Sequence, residues 1–115
     1  SQVVSTDQSV EHGGTNSAPE PFDLFLASLA TCAGLYVLGF CQTRNIPTEG
    51  LELVQHQRFD AETHRLTRIE LELRLPATFP EAYRASVVRA AEGCKVKKLL
   101  ASPPEVVVSA VASDP

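Results

Sequence analysis

The chain has 115 residues and a mass of 12.4 kDa, enough for one domain. Hydrophobic residues make up 43% and charged residues 21%, which excludes a disordered chain and allows a packed core without disulfides or metal. A net charge of −4 and a pI near 5.3 exclude a broad footprint for nucleic acid and a polybasic membrane patch.

Residues 1–18 are polar and small, with Ser1–Val4 and Gln8–Glu11 as possible short strands and Gly13-Gly14-Thr15-Asn16-Ser17 as a loop. A helix starts near Pro21, because Pro is tolerated where no intrahelical N–H is needed and Asp23 suits the positive end of the helix dipole. No charge occurs from Leu24 to Cys41, 18 residues, which meets the length of a membrane span. The small residues Ala27, Ser28, Ala30, Thr31, Ala33, Gly34 and Gly39 favour a helix buried on all sides of a soluble core. The helix should end near Arg44-Asn45, ahead of Pro47. A chain of this length cannot wrap such a helix alone, so a homodimer around it is expected.

Leu51–Phe59 alternates loosely, and Thr67–Leu75 places Ile69, Leu71, Leu73 and Leu75 on one face with Arg68, Glu70, Glu72 and Arg74 on the other. With Asp60–Arg65 as the loop, this reads as a hairpin with one wet face. Pro80 opens a second helix with Tyr83, Val87 and Ala90 or Ala91 on its apolar stripe, and Gly93 breaks it. A helical turn over Lys95–Ala101 follows, and Glu105–Val111, rich in Val, is expected as a last strand. The class is α+β, with residues 1–115 as a single domain.

Three cysteines are too few and too odd in number for a secreted disulfide framework. No charged segment followed by an apolar one opens the sequence, so the expected location is a reducing compartment, the cytoplasm. Cys32 and Cys41 are nine residues apart, so steps of about 100° place them on opposite faces of one helix. Cys41 reads as a small buried hydrophobe. Cys94 stands at a helix break beside Lys95, Lys97 and Lys98, which reads either as a thiolate favoured by a helix start and three cations or as a surface-near Cys whose lysines face solvent. Local electrostatics alone thus make Cys94 the more activated thiol.

Pro21-Phe22-Asp23-Leu24-Phe25-Leu26-Ala27-Ser28-Leu29-Ala30-Thr31-Cys32, followed by Ala91-Glu92-Gly93-Cys94-Lys95-Val96, resembles the OsmC/Ohr family of osmotically induced and organic hydroperoxide resistance proteins. The resemblance runs from Gly13 to the closing strand and is nearer the general OsmC-like branch than Ohr proper. It implies an intertwined homodimer in which antiparallel sheets wrap paired central helices. It also implies a thiol-dependent peroxidase acting on organic hydroperoxides. Cys32 would attack the peroxide and become a sulfenic acid, and Cys94 would resolve it as a Cys32–Cys94 disulfide. An external dithiol would reduce that disulfide, with no cofactor. Asp23 matches the acidic position nine before the first Cys in one branch and would support the site. In another branch an Arg activates the thiol and is held by a Glu, where this chain has Phe22. Lys95 replaces a Pro often found after the second Cys.

The face of the helix carrying Cys32 also carries Ser28, Leu29, Leu35 and Tyr36, an apolar setting for a fatty hydroperoxide. The competing class is a non-enzymatic OsmC-like dimer that binds an apolar small molecule in its interface pocket. A cation near Cys32 separates the two, and Arg44, Arg58, Arg68 and Lys98 are the available groups. No metal site is expected, since His12, His56 and His64 show no Cys-x-x-Cys or His-x-x-x-His spacing and read as exposed strand histidines.

Overall fold

A computed structural model describes residues 1–114. Among them are three α-helices and one two-stranded antiparallel sheet, in the order α1 (Pro21–Thr43), β1 (Glu52–Phe59), β2 (Leu66–Arg74), α2 (Arg84–Glu92) and α3 (Lys95–Ala101). Short 3-10 turns at Val10–His12 and Glu81–Tyr83 precede α1 and α2.

The segment before α1 is ordered by side chains instead of by strands. Asp7 accepts hydrogen bonds from the backbone and hydroxyl groups of both Thr15 and Ser17, at 2.8–3.1 Å. These donors, those of Ser17 foremost, hold its carboxyl well below the usual carboxylate range. A Cβ on Gly14 would run into the Gln8 carbonyl oxygen, so the loop closes only with glycine there. Glu20 ties the loop to the helix by accepting from Ser9 N at 3.0 Å, and its carboxylate lies 2.9 Å from His12 Nδ1. The short strands expected at Ser1–Val4 and Gln8–Glu11 are therefore absent. These polar residues satisfy their backbone locally through Asx-type bonds.

Helix α1 begins as expected, with Pro21 at its first position and a capping box between Glu20 and Asp23. It ends on a Schellman-type turn. Ile46 N donates to Cys41 O at 2.9 Å and Asn45 N to Gln42 O at 3.3 Å, while Asn45 adopts φ 54°. The Arg44 guanidinium lies 3.8 Å from the Phe40 ring centroid and donates to Phe40 O. By length and composition α1 could cross a membrane.

The hairpin forms as its alternation predicts. Leu53 faces Leu73, Gln55 faces Leu71 and Gln57 faces Ile69 on the inner side. On the outer side Glu52 faces Arg74, His56 faces Glu70 and Arg58 faces Arg68. Asp60 accepts from Glu62 N and Thr63 N to close the loop, and His64 sits there at φ 60°. Of the three histidines, then, only His56 is an exposed strand residue. Gln55 Nε2 donates 2.9 Å to Leu26 O and pins the sheet to α1.

One stripe of α1, namely Leu26, Leu29, Ala33, Val37, Phe40 and Cys41, is buried. Its first half packs with Cys94 and the hairpin, its second half with Ile46, Phe79 and Val87. The expectation of burial on all sides fails within one chain. Leu35 stays 68% exposed, and Tyr36 and Leu38 are exposed as well. Residues 103–114 form no strand, contrary to the expected Glu105–Val111 element, and Val108 is 92% exposed. A strand needs a ladder partner, and the hairpin lends neither edge to this segment. The accessible surface of 9083 Å² is about half as much again as the roughly 6,100 Å² of a folded monomer of this mass. The radius of gyration of 18.5 Å likewise exceeds the roughly 13 Å of a compact chain.

Candidate functional site: a two-cysteine cluster

Cys32 rides on the middle of α1, and Cys94 is the N-cap of α3. Gly93 ends α2 and lets the chain turn into α3, so Cys94 drops onto α1. Cys94 is fully buried with Leu29 and Ala33, and half-buried Cys32 packs against this cluster together with Leu53, Ile69, Leu71, Ala91 and Val96. Cys41 belongs to the other cluster, which packs against the second half of the same buried stripe.

The first turn of a helix has backbone N–H groups with no intrahelical acceptor. In α3 they meet the two thiols. Lys97 N donates to Cys94 Sγ at 3.5 Å. The amide of Val96 is the chief influence lowering the Cys32 pKa, followed by the Cys94 side chain. Desolvation opposes them, and the amide and charge of Lys95 add to the lowering. Cys41 has no such donors, and burial raises its pKa against a weak pull from Arg44.

This differs from the sequence expectation in two ways. The polarity of the Lys95–Val96 segment acts on Cys32, across the helix contact. The cation is Lys95, which was not among Arg44, Arg58, Arg68 and Lys98. Arg44 instead covers Phe40. The helix break at Gly93 was the available signal, since it exposes the amides of residues 95–97 to whatever lies opposite. Asp23 is the N3 residue of the capping box, where its carboxylate accepts from Glu20 N at 3.3 Å. Nine residues of helix, about 13 Å of rise, separate it from Cys32. Of the residues expected beside Cys32, Leu29 lies in the cluster, whereas Leu35 and Tyr36 face outward.

A groove of about 530 Å³ opens beside the cluster, between the inner face of the hairpin and helices α2 and α3. Leu29, Ile69, Leu71, Val88 and Leu100 line it, with Arg68 and Lys97 among its charged groups.

Two solved structures share this architecture. One, from Psychrobacter arcticus 273-4, is named for osmotic stress induction and a detoxification response. It is 22% identical with a TM-score of 0.67, over 81% of this chain and 68% of that one. The other, from Legionella pneumophila, is described as an organic hydroperoxide resistance protein OsmC, a predicted redox protein and regulator of sulfide bond formation. It is 20% identical with a TM-score of 0.52, over 84% of this chain and 72% of that one. At these identities the likeness concerns the fold. No curated protein matches the sequence significantly. The sequence profile of OsmC-like proteins matches residues 14–109, which takes in both cysteines and both helices that carry them, and the chain therefore belongs to the OsmC-like family.

Proposed function

We propose that the protein is a thiol peroxidase that reduces organic hydroperoxides. The observation that carries this reading is the meeting of Cys32 and Cys94 in one cluster, with the Cys32 pKa lowered by backbone amides despite its partial burial. The Cys32 thiolate attacks one peroxide oxygen, the O–O bond breaks, and the alkoxide leaves and takes a proton to become the alcohol. Cys32 is then a sulfenic acid. The Cys94 sulfur attacks it, water departs, and a Cys32–Cys94 disulfide remains. An outside dithiol reduces that bond and becomes a disulfide itself. Because Cys94 is buried and Cys32 half-buried, the reductant enters through Cys32. Cys94 leaves.

The same reading includes a homodimer. Its support is the excess surface, the exposed Leu35 and Leu38 on α1, the valines of the segment after Pro104, and the two open hairpin edges. A second copy would cover all four. An interface of obligate type buries 2,000 Å² or more, about the scale of the excess.

The test adds one equivalent of an organic hydroperoxide to reduced protein, followed by intact mass, thiol count and peptide mapping. Loss of two hydrogens with a Cys32–Cys94 disulfide is expected. Cys94→Ser should stop after one turnover as the Cys32 sulfenic acid, trapped by a dimedone-type reagent. Three unreacted thiols would sink the proposal. The groove gives a second reading its footing, a non-enzymatic dimer that holds an apolar small molecule. That reading would then lead.

A further inference from the structure

The outer face of the hairpin carries a cluster remote in function from the cysteines. His56 on β1 lies directly opposite Glu70 on β2, and Glu72 is two residues further along the same face. One ligand atom from each of the three lies within 4.8 Å of the others. His56 Nε2 stands 3.6 Å from Glu72 Oε1, longer than the roughly 2.9 Å of a good hydrogen bond. A tetrahedral ion with ligands at about 2.1 Å needs neighbouring donors about 3.4 Å apart. The spacing is therefore close to one edge of such a site, and carboxylate rotation closes the remaining gap.

We propose that His56, Glu70 and Glu72 form a surface site for a divalent transition ion, Zn²⁺ in the first instance, with water as the fourth ligand. One imidazole and two carboxylates suit zinc, and they would neutralise its charge. The paired ladder of β1 and β2 fixes the three Cα positions, so the ion does not have to organise the backbone. Two arginines oppose it. Arg74 Nε holds Glu72 Oε1 at 2.6 Å, and Arg68 Nη2 lies 3.3 Å from Glu70 Oε2. Arg74 holds the same Glu72 oxygen that faces His56, so the ion competes with Arg74 for it or takes the other oxygen after the carboxylate rotates, and binding is weakened by these partners.

Zinc chloride titrated into the intact, isotopically labelled chain tests this by NMR, because thiols also take zinc and must be read separately. The expected result is a metal-bound His56 Nε2 and shifts along residues 54–56 and 70–72. Glu70→Gln and Glu72→Gln should each weaken the His56 response about 10-fold or more. His56→Ala should remove the hairpin response, whereas His64→Ala should leave it unchanged. Arg74→Gln should tighten binding by freeing Glu72. All these side chains project from the outer face, so fold is checked by the unchanged spectrum of α1. An unmoved His56 ring with shifts only around the cysteines overturns the proposal. So does a His56 response indifferent to both glutamine variants, which means a lone imidazole ligand.

Discussion

Helix α1 brings a cysteine to each of the two apolar clusters, yet only one of the two thiols has its pKa lowered. Around Cys41 are Val37, Phe40, Ile46, Phe79 and Val87, which offer carbon and no donor. Burial then outweighs the weak opposing pull of Arg44 and raises the thiol pKa. Around Cys32 the same helix meets the start of α3, whose unpaired amides oppose desolvation and win. Burial makes a thiol inert only where nothing polar is aimed at it.

The sharpest way to break this contrast is Cys32→Ser. Peroxide consumption should fall by orders of magnitude, to the uncatalysed level, in a stopped assay with excess dithiol. Retention of full multiple turnover would reverse the assignment. Next in size is Val87→Ala, in the Cys41 cluster. Val87 is fully buried, and its truncation should cost about 2 kcal/mol in denaturant unfolding while the Cys32 reaction persists in the folded fraction.

Cys41→Ala should cost about 1 kcal/mol and leave peroxide consumption unchanged. A large loss of activity would mean that the two clusters are not independent.

The smallest expected effect is that of Lys95→Gln. Its charge is the weakest of the causes acting on Cys32, and its backbone amide stays. The pH–rate profile should move slightly to higher pH. The sign follows from the lowered pKa. The rate rises as Cys32 loses its proton, and it levels off below the pH at which an ordinary thiol would. The same group adds stability above its unfolded pKa, which is lost as pH falls through the folded one.

Much of the fold was legible because its signals are local. Pro21 and Asp23 mark the start of α1, the alternation of Ile69, Leu71 and Leu73 sets the hairpin face, and Gly93 separates α2 from α3. The failures lie where local pattern needs a partner. Glu105–Val111 has strand composition but nothing in its own chain to pair with. The residues before Pro19 have weak strand signals that Asp7 overrides with side-chain hydrogen bonds.

By itself the sequence determined which residues would be helix and hairpin, that Cys32 and Cys41 could not share a face, and that two cysteine motifs of the OsmC kind were present. Periodicity and caps act over one to four residues, so they are written in order along the chain. Only the tertiary structure decided which thiol receives the amides of α3, since Val96 and Cys32 are 64 residues apart in sequence. Only it gathered Glu70 and Glu72 around His56, through a strand register that no spacing of histidines and cysteines reveals. Electrostatic effects on a group depend on distance and dielectric in space, and the fold sets both.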